Sequence, residues 1–194
     1  MVGVPAPGRP PSSPWGTLVS LAGVDVRRIR ADEWRVWRDA RLRMLREESA
    51  YFSTRYEDVV REPETVWQAW TAEAAEGVDK VLFVAEDGDA TLGVVGGFRR
   101  LDPTEVQLVS LWVDPAARGR GVARSLIRAV ATWARDRGAA NIVLFVQEAN
   151  APGRALYLRA GFRPTGAREP VGPGRPGFKL VVSAPVDELL ADVL

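Results

Sequence analysis

A glycine-rich segment near the middle of the chain carries the residues most suited to chemistry. It reads Arg118-Gly119-Arg120-Gly121-Val122-Ala123 and follows an apolar stretch that ends before Pro115. The free N–H groups at the start of a helix, together with its dipole, bind anions, and glycine lets a phosphate approach the backbone closely. Three arginines add positive charge at the same point: Arg118, Arg120 and Arg124. The pattern favours a diphosphate-binding loop, and a plain strand–loop–helix connection is the alternative.

Two familiar phosphate loops do not match this segment. A P-loop needs a lysine before its Ser or Thr, and Lys80 and Lys179 are the only lysines in the chain. The dinucleotide-binding pattern GxGxxG fails because Arg124 occupies the position of its third glycine.

The composition excludes several kinds of chemistry. The chain has neither Cys nor His, which removes thiolate nucleophiles, cysteine-based zinc sites, Ser-His-Asp triads and histidine bases. Catalysis is left to Asp, Glu, Tyr, Lys and the backbone, and we expect no metal. The formal net charge of +1 argues against nucleic acid or a membrane surface as a partner.

The elements around the loop predict a mixed α/β domain. An apolar strand from Glu105 to Val113 precedes the loop, a helix with an apolar stripe runs from about Arg120 to Arg137, and a very apolar strand covers Asn141 to Gln147. Further strands are predicted near 24–29, 80–86, 91–99, 162–165 and 178–183, with helices following residue 32 and near 64–76 and 153–160.

The ends of the chain bear on domain organisation and location. Residues 1–23 are rich in Pro, Gly and Ser, which predicts a flexible tail before a single domain over 24–194. No apolar run approaches the roughly 20 residues that span a bilayer, and only Arg9 precedes the short apolar stretch at 17–24. A cytoplasmic protein is therefore the expectation.

Two segments resemble a known family. The stretch Leu108 to Ile127 is similar to the acetyl-CoA motif [Q/R]-x-x-G-x-[G/A] of the GCN5-related N-acetyltransferase (GNAT) superfamily, with Arg118, Gly121 and Ala123 in its three positions. The stretch Asn150 to Phe162 resembles the segment N-x-x-A-x-x-L-Y-x-x-x-G-F of the same family, with Gly153 in place of Ala. The resemblance covers roughly residues 24–183 and is most specific over 106–162.

The resemblance implies a fold and an activity. The expected fold is a central mixed sheet of six to seven strands, flanked by about four helices and splayed between strands four and five. The expected activity is transfer of an acetyl group from acetyl-CoA, as co-substrate, to a primary amine on a small molecule or a peptide N-terminus, by direct attack in a ternary complex. Members of the family often form dimers, so a homodimer is also an expectation.

The resemblance also assigns roles to individual residues. The backbone from Arg118 to Arg124 would hold the diphosphate, and Leu111 and Val113 would pair with the pantetheine arm. The Leu111 N–H would polarise the thioester carbonyl. Packing in the core is the ordinary alternative for both strand residues. The implied cofactor-binding set is Leu111, Val113, Arg118, Gly119, Arg120, Gly121, Val122, Ala123, Arg124 and Asn150.

The resemblance supplies a candidate proton donor but no clear general base. Tyr157 aligns with a tyrosine that protonates the departing thiolate, and ring packing at the surface is its alternative. The family's base position falls on Gln107, which cannot accept a proton. Glu105, two residues earlier on the same face, could act through a water or could simply be solvated. Glu148 and bulk water are the other candidates. The lack of a base at Gln107 supports a second hypothesis, a non-catalytic acyl-CoA-binding module.

The acceptor site is expected between the first two helices, their connection and the loop 168–177. The connection mixes acids and aromatics, which suits a cationic amine but also an ordinary solvated helix end. The resemblance implies that Asn150 contacts the CoA arm or fixes the splay between strands five and four, and an ordinary helix cap is its alternative. The acidic and aromatic cluster consists of Glu47, Glu48, Tyr51, Phe52, Tyr56, Glu57 and Asp58.

Overall fold

A computed structural model describes residues 19–21 and 23–191. The described strands are β1 (Val19–Leu21), β2 (Val24–Arg28), β3 (Lys80–Asp87), β4 (Ala90–Arg99), β5 (Glu105–Val113), β6 (Asn141–Gln147), β7 (Arg163–Gly172) and β8 (Arg175–Pro185). The described α-helices are α1 (Trp34–Glu47), α2 (Tyr56–Val59), α3 (Glu64–Glu76), α4 (Val122–Asp136), α5 (Ala151–Ala160) and α6 (Val186–Leu190). Short 3₁₀ turns cover Ser49–Tyr51 and Pro115–Ala117.

The eight strands form one mixed sheet in the order β1-β2-β3-β4-β5-β6-β8-β7. Every neighbouring pair is antiparallel except β5 and β6, which run parallel. A parallel pair needs a crossover, and the long helix α4 supplies it. The mixed α/β fold predicted from the sequence is confirmed, with β1 and the short helices α2 and α6 added to the predicted elements.

The parallel pair separates soon after it begins. Only Glu105–Gln107 of β5 pair with Asn141–Val143 of β6, although both strands continue beyond these residues. These are the fourth and fifth strands of the sequence prediction, so the predicted splay lies where it was expected. On the β6 side, the edge of β5 that follows Gln107 is therefore paired to no strand of the described residues.

Helices cover both faces of the sheet. The amphipathic helix α4 buries its apolar stripe, with Leu126, Val130 and Trp133 in one large core cluster. On the other face α1 and α3 form a second cluster, in which Trp37 stacks on Trp70 with ring centroids 4.9 Å apart. Both faces of the sheet are therefore packed against helices.

The segment 168–177 differs from its prediction. It was expected to be a Pro/Gly-rich loop, but β7 and β8 extend through most of it and pair up to Gly172 and Arg175. The sequence prediction was wrong here because β7 is an edge strand, where proline costs no ladder hydrogen bond. The register shifts near Pro164 and Pro170 show how the hairpin accommodates these residues.

Two predictions concern the ends of the chain and the membrane. Most of the predicted tail, residues 1–18 and 22, lies outside the described residues, and within it Val19–Leu21 pair with β2. Among the helices that the structure describes, none is long and apolar enough to cross a membrane.

Candidate active site

The loop between β5 and α4 is built by local turn chemistry. Asp114 accepts a hydrogen bond from the Ala116 N–H at 2.9 Å and so opens the 3₁₀ turn, and the Arg118 N–H donates to the Pro115 carbonyl at 3.4 Å. Gly119 and Gly121 then adopt left-handed backbone angles, with φ of +79° and +81°. A Cβ at either glycine would meet nothing within 4 Å, so the backbone faces open space at both.

Six consecutive N–H groups in this loop are available to a ligand. Among the residues that the structure describes, none accepts a hydrogen bond from the backbone N–H of residues 119–124, and the first bond of the helix runs from Ser125 to the Gly121 carbonyl. No side chain caps α4. Unsatisfied N–H groups at the positive end of a 15-residue helix form an anion site. The expected diphosphate therefore fits the loop, with the Arg118 N–H already used by the preceding turn.

The splay of the sheet opens directly beside this loop. A cavity of about 830 Å³ lies between the diverging halves of β5 and β6, with the connection after α1 and the start of α5 along its sides. Of the predicted cofactor-binding residues, only Arg120 does not line it, because its side chain pairs with Asp87 at 3.0 Å. The structure thus brings the remaining nine of that set into one cavity.

The middle of β5 is distorted where it borders the cavity. The register against β4 shifts between Val94 and Gly96, so that Ser110 and Leu111 together oppose Val95. Ser110 has a φ of +54°, the only positive value among the described residues other than glycine. The bulge lies beyond the paired part of β5 and β6, and it places Leu111 at the cavity wall.

Tyr157 reaches the cavity from α5. Its ring packs against the main core and meets Phe162 edge to face, with centroids 5.7 Å apart. No group in the described part of the chain hydrogen-bonds its hydroxyl. Burial raises the pKa of Tyr157 well above its ordinary value of about 10. The hydroxyl is therefore protonated at every physiological pH and can act as a proton donor.

Asn150 has a structural contact as well as a place in the cavity. Its side-chain oxygen accepts from the Gly153 N–H at 2.8 Å and caps α5. A Cβ on Gly153 would lie 2.6 Å from the Asn150 amide nitrogen. Glycine at this position, where the family motif has alanine, is therefore matched to the orientation of the cap.

The predicted bases do not enter the cavity. Glu105 pairs with Arg100 at 3.1 Å and lies in the part of β5 that is still paired to β6. Glu148 is exposed and also absent from the lining. Glu48 is the one carboxylate that lines the cavity within the described residues, and it forms an ion pair with Arg118. Gln107 does line the cavity, but its amide cannot accept a proton.

The expected acceptor wall is formed only in part. Glu48, Tyr51 and Phe52 line the cavity, whereas the other members of the acidic and aromatic cluster do not. Several of these are engaged elsewhere: Glu47 pairs with Arg43 at 2.9 Å and the Tyr56 hydroxyl accepts from Arg46 at 2.8 Å. The region 168–177 supplies no lining residue. Instead, Arg175 donates to the carbonyls of Phe52 and Ser53 at 2.7 and 2.8 Å and fixes that wall.

The sequence reasoning missed Arg41, which projects from α1 to the cavity. Its guanidinium donates to the hydroxyls of Ser110 and Thr54, each at 3.0 Å. A signal was present, because Arg41 follows Trp37 by four residues and precedes Met44 by three. That spacing puts a charged residue on the buried face of the helix.

Comparison of the chain with models of known families shows which family it belongs to. The acetyltransferase (GNAT) family matches residues 31–162, which contain the loop, the splay and Tyr157. The chain belongs to the GNAT family. The resemblance seen in the two sequence segments is therefore confirmed.

Individual relatives match only part of the chain. It is 37% identical over 91 residues to N-acetyltransferase 8F1 of Rattus norvegicus, covering 45% of this chain and 41% of the rat protein. It is also 37% identical over 89 residues to N-acetyltransferase 8B of Homo sapiens, covering 44% of this chain and 39% of the human protein. The chain thus matches about two fifths of the length of these relatives.

A solved structure supports the fold over most of the chain. The spermidine N-acetyltransferase of Vibrio cholerae, determined in complex with CoA and spermine, superposes with a TM-score of 0.70. The match covers 88% of this chain and all of that one, at 16% sequence identity. At that identity the likeness establishes the GNAT fold alone.

Proposed function

We propose that the chain is an N-acetyltransferase that moves an acetyl group from acetyl-CoA to a primary amine by direct attack in a ternary complex. The observation that carries the proposal is the row of free N–H groups at 119–124 beside the cavity that contains Tyr157. Membership of the GNAT family supports the same conclusion. When bound, acetyl-CoA supplies a thioester that is intrinsically reactive toward amines.

The chain's own groups would bind and orient the reactants. The N–H groups from Gly119 to Arg124 would hold the diphosphate, and the Arg124 side chain lines the cavity without an internal partner among the described residues. The unpaired edge of β5, which carries Leu111 and Val113, would bind the pantetheine arm through its main chain. The Leu111 N–H at the bulge is the proposed donor to the thioester carbonyl.

Proton movement would divide between Tyr157 and solvent. The ring of Tyr157 is partly buried against the core, and desolvation raises its pKa, so Tyr157 keeps its proton and would deliver it to the leaving thiolate. We assign no side chain as the base. Glu48 is paired with Arg118, and Glu105 is held by Arg100 outside the cavity, so it could take part only through water. The proton of the amine is therefore proposed to leave to solvent.

Positioning supplies most of the acceleration in this proposal. A chain without His or Cys can still catalyse thioester aminolysis, because holding the reactants together and polarising the carbonyl lowers the barrier without an acid–base pair. The groups proposed to do this lie on β5, α4 and α5. Leu111, Ala123 and Tyr157 from these elements pack against the main core cluster.

A thiol-release assay with acetyl-CoA tests the proposal. The amine panel comprises spermidine, an aminoglycoside, free amino acids, amino-acid amides and a short peptide with a free N-terminus, and calorimetry measures CoA binding in parallel. We expect CoA binding and thiol release with at least one class of amine. CoA binding without turnover of any amine would refute the transferase and leave the acyl-CoA-binding module. Absence of CoA binding would refute the assignment of the loop.

A further inference from the structure

Arg41 is a charged group at the cavity that the proposed transfer reaction does not use. It is half-buried on α1, and burial lowers its pKa to about 10. Within the described residues no carboxylate lies within 4.0 Å of its guanidinium. A buried charge without an opposite charge is costly, and proteins usually pair such groups. Its lack of an acidic partner therefore needs a functional explanation.

The neighbours of Arg41 hold it in place without neutralising it. Both hydrogen-bond acceptors are hydroxyls, on Ser110 and Thr54, each 3.0 Å away. The rings of Trp37 and Phe52 lie 5.8 and 5.9 Å from its central carbon, near the outer limit for a cation–π contact. A guanidinium has five N–H donors, and these two bonds use two of them. The other three have no acceptor among the described residues, and Arg41 lines the cavity.

The position of Arg41 places it beside the proposed reaction centre and not at the diphosphate loop. Ser110 immediately precedes Leu111, whose N–H is the proposed donor to the thioester carbonyl. Thr54 belongs to the connection after α1, which forms the acceptor wall with Tyr51 and Phe52. A group bound by Arg41 would therefore belong to the acceptor side of the cavity.

The charge of the cavity agrees with an anionic acceptor group. Among the residues that the structure describes, one acid lines it, Glu48, and this acid is already paired with Arg118. Five basic side chains of the same part of the chain line it: Arg41, Arg118, Arg124, Arg159 and Lys179, the last of which pairs with Glu169 at 3.7 Å. A polyamine brought to this wall would meet Arg41 with no free carboxylate to offset the repulsion.

We propose that the acceptor carries a carboxylate near its amine, as an amino acid does, and that Arg41 binds this carboxylate. The inference rests on the proposed acetyl transfer and names its substrate class. The planar fork of a guanidinium matches a carboxylate in a bidentate contact, and charged hydrogen bonds of this kind are strong. The aromatic side chains of Tyr51 and Phe52 leave apolar space for the remainder of the acceptor.

Matched acceptors test the proposal in the wild-type protein. Each common amino acid is compared with its own amide and its decarboxylated amine in the thiol-release assay, and calorimetry measures binding of the best amino acid to the CoA complex. Loss of one charged hydrogen-bonded contact is worth about 1.5–3 kcal/mol, so we expect kcat/KM to favour the acid over the amide by about 10- to 150-fold.

Variants on one helix attribute the preference to Arg41. In Arg41→Gln we expect the ratio of kcat/KM for the acid to kcat/KM for the amide to fall to near one. Calorimetry should then show binding of the amino acid weakened by about the factor that separates acid from amide in the wild-type protein, while Arg41→Lys keeps part of the ratio. Arg38→Gln is the matched control, since Arg38 lies on the same helix outside the cavity and pairs with Asp39. It keeps the wild-type ratio. CoA binding and thermal unfolding are measured for each variant.

The outcomes separate this proposal from the transferase itself. If amides and simple amines react as well as amino acids, the proposal of a carboxylate on the acceptor is refuted, and the proposed acetyl transfer is unaffected. An acid preference that survives in Arg41→Gln overturns the role of Arg41. Absence of turnover with every acceptor, despite CoA binding, overturns both. If Arg41→Gln does not fold, the ratio measured in the wild-type protein still decides whether the acceptor carries a carboxylate.

Discussion

Replacing Gly121 with alanine tests the loop most directly. Gly121 has a φ of +81° at the start of α4, and a Cβ there would project into open space. Gly121→Ala should therefore lower the free energy of unfolding only by the cost of a left-handed backbone at a residue with a side chain, about 1–2 kcal/mol. For a chain of this size that lowers the melting temperature by about 2–8 °C. The added methyl group stands where we propose that the diphosphate approaches.

Gly138 provides a matched control at the other end of the same helix. It has a φ of +75°, a Cβ there would also meet nothing within 4 Å, and it does not line the cavity. Gly138→Ala therefore has a similar backbone cost. If the methyl group at residue 121 prevents one N–H from bonding a phosphate, the loss of about 1.5–3 kcal/mol weakens CoA binding by about 10- to 150-fold.

Differential scanning fluorimetry and CoA calorimetry on both variants complete the test. We expect similar melting temperatures for the two variants, and weakened CoA binding only in Gly121→Ala. Equal CoA affinity in the two variants would refute the assignment of 119–124 as the diphosphate cradle. A large loss of stability in Gly121→Ala alone would show instead that the glycine serves the fold.

Three further predictions concern the proton-transfer groups. Tyr157→Phe should lower kcat by about 10²-fold or more, the contribution of a general acid, while stopped-flow binding shows unchanged CoA affinity; an unchanged kcat removes Tyr157 from the mechanism. Because burial raises the pKa of Tyr157 and so extends its protonated range upward, kcat in a steady-state pH series should not fall between pH 8 and about 10. A fall in kcat over that pH range would mean that the proton donor ionises with the pKa of a tyrosine exposed to water. Glu105→Gln should lower kcat by much less than the roughly 10²-fold expected for a general base, because its carboxylate is held by Arg100; a loss of that size would restore it as the base.

The hairpin of β7 and β8 marks one limit of prediction from sequence. Prolines and glycines over 168–177 indicate a loop when only neighbouring residues are considered. The segment is nevertheless a strand pair, because β7 lies at the sheet edge and its prolines need no partner there. The position of a strand within a sheet depends on contacts far along the chain, which local composition does not contain.

The acid–base groups show the same limit. Gln107 at the family's base position was apparent from the sequence, and Glu105 was a reasonable substitute because it shares a strand face. The position of Glu105 outside the cavity depends on its ion pair with Arg100 and on how far β6 stays paired with β5. The pairing of Glu48 with Arg118 joins residues 70 positions apart. Neither contact leaves a periodic or compositional signal.

The sequence by itself indicated the anion-binding loop with its two glycines and the segment from Asn150 to Phe162. These features depend on backbone conformations, helix ends and caps, which residues adjacent in the chain specify. The tertiary structure alone decided which charges reach the cavity. It placed Glu105 beside Arg100 and outside the cavity, paired Glu48 with Arg118, and brought Arg41 beside Ser110 without an acidic partner among the described residues. Charges separated by many residues meet only when the sheet and its helices have packed, so the character of the acceptor wall emerges at that level.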